Sequence, residues 1–183
     1  MIILASKSPR RKELLERANI KFKIITENTS EIFNKDVSIK DALIDVAYQK
    51  ALPVFNKNQE DTIISADTIV VVDDIILGKP KDYNEAFHML SLLSNRYHYV
   101  MTAVIIKNKK IEIKFVEETK VYFKEITKKE IDEYILKENV YDKAGGYAIQ
   151  EGASKFVTRI EGDYDNVVGL PITRVIEELK KVE

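Results

Sequence analysis

The sequence predicts an α/β chain built around a mixed sheet. Three observations point there: apolar strand-like runs at 2–5 and 62–72, helical apolar periodicity between them, and two long strand-like stretches at 97–106 and 111–124 joined by Lys-Asn-Lys-Lys, which reads as an antiparallel pair. In such sheets ligands tend to sit at the carboxyl ends of strands, where a strand meets its helix. For the first strand that place is residues 6–11.

Ile2 to Ala5 is apolar without alternation, the pattern of a short buried strand. A helix follows at once: Ser8 is a suitable N-cap, Pro9 suits the first helical position, and Leu14, Leu15 and Ala18 supply an apolar face. Arg10 and Arg11 therefore fall in the first turn, the end at which the helix macrodipole disfavours cations. An anion supplied from outside would reconcile the two. Helix-start amides, the hydroxyls of Ser6 and Ser8, and two guanidinium forks together suit a polyphosphate. A solvated basic turn is the competing reading.

Phe22 to Thr26 reads as a second strand and Glu27 to Val37 as a polar loop. Ile39 to Phe55 is helical, and its stripe of Ile39, Leu43 and Val46 continues onto Lys50. A lysine there either snorkels to the edge of the core or points into a pocket holding negative charge. Pro53 is expected to kink or shorten this helix. Thr62 to Val72 is the strongest strand candidate, and Asp67 interrupts it. A carboxylate in such a run is costly unless it is paired, hydrogen-bonded, metal-bound or shifted in pKa, which makes Asp67 the first candidate for a catalytic carboxylate. A β-bulge or strand end, where it merely accepts backbone hydrogen bonds, is the alternative.

Asp73-Asp74 turns the chain into Ile75-Ile76-Leu77. Gly78-Lys79-Pro80 is then a turn with one lysine, and lacks the spacing of a P-loop. Tyr83 to Leu93 is a helix with Ala86, Met89, Leu90 and Leu93 on one face, and Thr127 to Leu136 is a shorter one with Thr127 and Glu130 as a capping box. Five of the six glycines lie in 142–171, which reads as loop, with Pro171 starting a last helix over 172–181.

Composition narrows the chemistry. The 183 residues contain no cysteine and two histidines, excluding disulfides, thiolate nucleophiles, cysteine-based metal sites and multi-histidine centres. Any metal would be a hard cation such as Mg²⁺ or Mn²⁺ on carboxylates and substrate oxygens. Of 29 Lys/Arg and 30 Asp/Glu, residues 1–23 carry seven against two. That local positive charge fits a small anionic ligand better than a nucleic-acid surface. No stretch is apolar enough to span a bilayer and no signal-peptide layout is present, so the expected compartment is the cytoplasm and Asn28-Thr29-Ser30 reads as a chance sequon.

LASKSPRR at 4–11, SADTIVVVDDIILGKP at 65–80, DKAGGYAIQ at 142–150 and EGDYDNVVGLP at 161–171 together resemble the Maf family of nucleoside triphosphate pyrophosphatases, in order and across nearly the whole chain. The resemblance implies hydrolysis between the α and β phosphates with a divalent metal cation, in a single domain over 1–183. It also implies an elongated mixed-sheet body with two lobes around a deep cleft, like that of inosine triphosphate pyrophosphatases. Matching positions are Ser6, Arg10, Arg11, Glu31, Lys50, Asp67, Lys79 and Gln150. The GYAIQ and DYDNVVGLP endings resemble the branch acting on dTTP and UTP, with modified pyrimidine nucleotides as further candidates.

On that resemblance Ser6, Arg10 and Arg11 hold the triphosphate, Lys50 and Lys79 neutralise the leaving pyrophosphate, Asp67 and Glu31 divide the roles of base and metal ligand, and Gln150 contacts the base. A homodimer is implied by the resemblance alone, and no membrane or nucleic-acid partner is expected. Two departures stand out: Asn95 where the family usually has glycine, and Ala153-Ser154 in place of a glycine-richer stretch. His98 matches a family position but reads first as structural, and His88 as an ordinary surface or boundary residue. A nucleotide-binding regulator of cell division or septum formation, without turnover, is the alternative from another class. An ordinary phosphatase releasing orthophosphate is a third.

Overall fold

The computed structural model describes residues 1–182. Its strands are β1 (Ile2–Leu4), β2 (Phe22–Ile24), β3 (Thr62–Val72), β4 (Ile75–Leu77), β5 (Tyr97–Lys107), β6 (Glu112–Phe123) and β7 (Val157–Glu161). The helices are α1 (Pro9–Arg17), α2 (Ile39–Lys57), α3 (Tyr83–Leu93), α4 (Lys128–Lys137), α5 (Tyr164–Val168) and α6 (Ile172–Leu179). The strands form one mixed sheet in the order β2-β1-β3-β5-β6-β7, with β4 also paired to β3. β1 runs parallel to both β2 and β3, whereas β4 returns antiparallel on β3. The short link between β5 and β6 permits only antiparallel pairing.

Two compact units divide the chain. The first comprises Met1–Thr68, Thr102–Glu117 and the described part of Gly169–Glu183. Its buried residues include Leu4, Leu14 and Leu15 from β1 and α1, Leu43, Val46, Ala47, Ala51 and Val54 from α2, and Ile63 and Ile64 from β3. α1 starts as its sequence dictates: Ser8 Oγ accepts from the Arg11 backbone N–H at 3.4 Å, and Pro9 occupies the first turn. Pro53 does not end α2, which continues to Lys57. Ala51 and Val54 on either side of it are fully buried, so packing of the last turns offsets the one hydrogen bond the proline removes.

The second unit comprises Ile69–Met101 and Glu118–Val168. α3 packs on α4 over a core of Val70, Leu77, Leu90, Phe123, Ile131, Tyr134 and Phe156 among others. Asp73 and Asp74 both take positive φ, 48° and 61°, the geometry of a tight hairpin turn between β3 and β4. Asn95 also has a positive φ, 57°, which explains how asparagine serves in a place where glycine is the expected residue. The capping box of α4 is complete: Thr127 Oγ1 accepts from the Glu130 N–H at 3.2 Å, and Glu130 Oε2 from the Thr127 N–H at 2.9 Å.

The glycine-rich stretch 142–171 is more ordered than its composition predicts, since it contains β7, α5 and short 3-10 turns at Ala144–Gly146 and Ala153–Phe156. Gly145 has φ +69° and receives the close approach of Val70, whose Cγ2 would lie 2.9 Å from any Cβ added there. Lys143, almost wholly buried, binds the Asn139 carbonyl and pairs with Asp142 at 2.9 Å and Glu151 at 2.8 Å, which closes the loop.

Candidate active site

Asp67 stands in the middle of β3, three residues beyond Ile64, the last that pairs with β1. It is not at a strand end. Its carboxylate is only 19% exposed and its Oδ1 lies 2.5 Å from Lys50 Nζ, while Glu31 Oε1 approaches the same ammonium to 3.2 Å. The lysine at the end of the apolar stripe of α2 therefore does not snorkel. It is 18% exposed and holds two carboxylates, one from a strand and one from the irregular loop before α2. A partly buried ammonium flanked in this way is the compensation that an ionised Asp67 in an apolar strand requires.

Arg11 is the second centre. It is buried, and three of its nitrogens are engaged: Nε donates to the Gly169 carbonyl at 2.8 Å, Nη1 to Ser6 Oγ at 3.2 Å and Nη2 to Thr68 Oγ1 at 3.0 Å. Thr68 Oγ1 lies in turn 2.9 Å from Thr102 Oγ1. Burial lowers the guanidinium pKa from its ordinary value, and the negative charge of Asp67 and Glu31 works against that while neighbouring Arg10 adds to it. The strand carrying Asp67, the first helix and the VVGLP stretch are thus tied through one side chain.

Arg10 differs from its neighbour. It is half-buried, and among the described residues neither its guanidinium nor its backbone N–H has a protein acceptor. Ser6 Oγ also accepts from the Ser8 N–H at 3.2 Å, so the two serines expected at a phosphate are occupied in shaping the turn.

The structure brings Ser6, Arg10, Arg11, Glu31, Lys50 and Asp67 together within the first unit. Lys79 and Gln150 belong to the second unit, where both are exposed and neither has an ion pair or side-chain hydrogen bond among the described residues. His98 is fully buried with Nε2 2.6 Å from the Tyr147 hydroxyl, and burial pushes its pKa down to about 3. Such a histidine is neutral and structural, as its sequence context predicts. Sequence reasoning missed Thr68 and the Gly169 carbonyl as partners of Arg11, and Thr102 behind Thr68. Thr68 follows Asp67 directly, and that adjacency was the available signal.

Two carboxylate oxygens converging on one cation are hard donors of the type Mg²⁺ or Mn²⁺ accepts. Among the described residues no group of three or more His, Asp or Glu gathers, so a cation held by Asp67 and Glu31 would take its remaining ligands from substrate oxygens and water.

A family model for Maf-like protein matches residues 1–182. The chain belongs to the Maf family. Among its Maf relatives, a "dTTP/UTP pyrophosphatase" of Geobacillus sp. (strain WCH70) is 47% identical over 181 residues, covering 99% of this chain and 97% of the relative. Proteins of the same name from Bacillus cytotoxicus and Bacillus cereus (strain G9842) are each 47% identical, covering 99% and 100% of this chain and 95% of each relative. As expected from the sequence, the chain is a Maf protein with an α/β fold on a mixed sheet. Among the described residues no helix is long and apolar enough to cross a membrane.

Proposed function

We propose that the chain hydrolyses dTTP and UTP at the α–β phosphoanhydride bond, releasing the nucleoside monophosphate and pyrophosphate. The observation that carries this reading is the Glu31–Lys50–Asp67 cluster beside the basic first turn of α1, in a chain whose relatives bear the name of that activity. A chain that only bound nucleotide would need the basic turn, but not an ionised carboxylate set into an apolar strand beside it.

Arg10 offers to the triphosphate a guanidinium and backbone N–H that have no protein acceptor among the described residues, with Arg11 held behind it by Gly169, Ser6 and Thr68. Asp67 accepts the proton of the attacking water, or orients that water, and Glu31 is the second carboxylate at the same place. Lys50 and Lys79 offset the charge that grows on the departing pyrophosphate. Asp67 and Glu31 would hold a Mg²⁺ or Mn²⁺ ion, which when bound polarises the phosphoryl oxygens. Gln150, whose amide both donates and accepts, selects the pyrimidine. The chain works in the cytoplasm, where these nucleotides are found, and as a homodimer.

The test is incubation of purified protein with Mg²⁺ and a panel of nucleoside triphosphates, with pyrophosphate and orthophosphate measured separately. Pyrophosphate from dTTP and UTP but not from purines is the expected result, abolished by chelation. Orthophosphate alone would make the chain a phosphatase. Nucleotide binding without release would make it a regulator.

A further inference from the structure

Residues 25–38, which carry Glu31, form neither helix nor strand, and the Glu31 side chain is half exposed. Such a carboxylate has several rotamers open to it and no helix or strand to fix its backbone, so its place beside Lys50 needs an anchor. The ion pair with Lys50 is a poor one, because Lys50 also serves Asp67, and substrate phosphates compete for it in the proposed reaction. The next residue on each side supplies a neutral alternative. Gln49 Oε1 accepts from the Ile32 N–H at 2.9 Å and Gln49 Nε2 donates to the Ile32 carbonyl at 2.9 Å, so one side-chain amide pairs with the loop backbone as a neighbouring strand would. Asp45, one turn earlier on α2, accepts the other Nε2 hydrogen at 3.0 Å and fixes the amide's orientation.

We infer that Gln49 is a positioning residue for Glu31: its two-sided amide latch on the Ile32 backbone holds the carboxylate at Lys50 whatever charge enters the site. The inference rests on the reading of Glu31 as a working carboxylate. Both latch bonds are uncharged, so they persist when phosphate or a cation redistributes charge around Lys50. Only glutamine meets the requirement. Glutamate cannot donate to the Ile32 carbonyl and would face the Asp45 carboxylate, and asparagine is one methylene shorter.

The experiment is a double-mutant cycle on pyrophosphate release from UTP, with Gln49→Ala, Gln49→Glu, Glu31→Gln and the Gln49→Ala/Glu31→Gln pair. Loss of a partner that orients a site ligand typically costs about 10–100-fold. Gln49→Ala and Gln49→Glu are each expected to lower kcat by about that factor with KM changed less than about threefold, and Gln49→Ala to add less than about twofold in the Glu31→Gln background. A residue serving only general stability would lower the rate equally in both backgrounds. If Gln49→Ala keeps kcat within about twofold, or its effect multiplies that of Glu31→Gln, the inference is overturned while the role of Glu31 stands. If Glu31→Gln itself turns over normally, the role of Glu31 fails and the inference fails with it. Gln49 and Ile32 are bonded at the surface, so the variants fold, and melting curves that overlay confirm that the rate effect is local.

Discussion

Lys50 on α2 and Asp67 on β3 meet at 2.5 Å, and both side chains are less than one-fifth exposed. The pair joins the helix to the strand and sets an ammonium against the carboxylate in an apolar run, at the point where the proposed reaction needs a base.

Replacing Asp67 by asparagine keeps the shape of that contact and removes its basicity. Turnover is expected to fall about 10²–10⁴-fold, the range of general base catalysis, while nucleotide affinity changes no more than a few-fold. Calorimetric titration with UTP alongside pyrophosphate release separates the two. Retained turnover would take the base role away from Asp67.

The two arginines of the first turn should part company. Arg10 has no protein acceptor among the described residues, so Arg10→Ala is expected to leave stability within about 0.5 kcal/mol and weaken nucleotide binding. Arg11→Ala strands the Gly169 carbonyl and takes one partner each from Ser6 Oγ and Thr68 Oγ1, and should cost about 2–3 kcal/mol of stability. Urea titrations of the two variants make the comparison. Equal stability losses would contradict it.

His98 makes stability depend on acid. Burial takes its pKa from 6.5 to about 3, so between those values the unfolded chain binds a proton that the folded chain does not. Stability is therefore fully present above about pH 6.5 and is lost as pH falls through that window, at up to about 1.4 kcal/mol per unit. His98→Gln should remove this component while keeping a polar group for the Tyr147 hydroxyl. Denaturant midpoints at pH 7.5, 6 and 5 for both proteins measure it, and parallel curves would assign the acid sensitivity to other groups.

The capping box on α4 provides a control. Thr127→Ala should cost about 1 kcal/mol of stability and leave kcat for UTP unchanged, since the bonds of the box lie at the start of α4 and include none of the candidate site residues. A matching loss of activity would show that α4 takes part in turnover.

The sequence was legible where local chemistry and packing agree. β3 and α3 fall on the residues their patterns predict, because apolar runs and stripes report burial directly, and Thr127 with Glu130 specifies a helix start without tertiary help. It was less legible where a distant partner decides. β7 is a polar edge strand that exists because β6 pairs with it, and nothing in Val-Thr-Arg-Ile-Glu among glycines announces a neighbour. Pro53 breaks no helix because burial on both sides of it outweighs its local preference. The site followed the same division. Asp67 and Lys50 each violate an apolar pattern and so betray themselves, whereas Arg11 resembles its neighbour in sequence and differs only in the acceptors that folding brings to it.

The bond from Arg11 to the Gly169 carbonyl spans 158 positions of the chain. Translation delivers Arg11 well before Gly169, and the first unit is assembled from three separated stretches, the last beginning at Gly169. A nascent chain stalled before that residue has the carboxylates, the lysine and both arginines already made, yet lacks the acceptor that lets the second guanidinium be buried. Burial of that guanidinium therefore waits until Gly169 has been made, and a shorter product carries the residues of the Asp67 cluster without the acceptor that lets Arg11 be buried beside them.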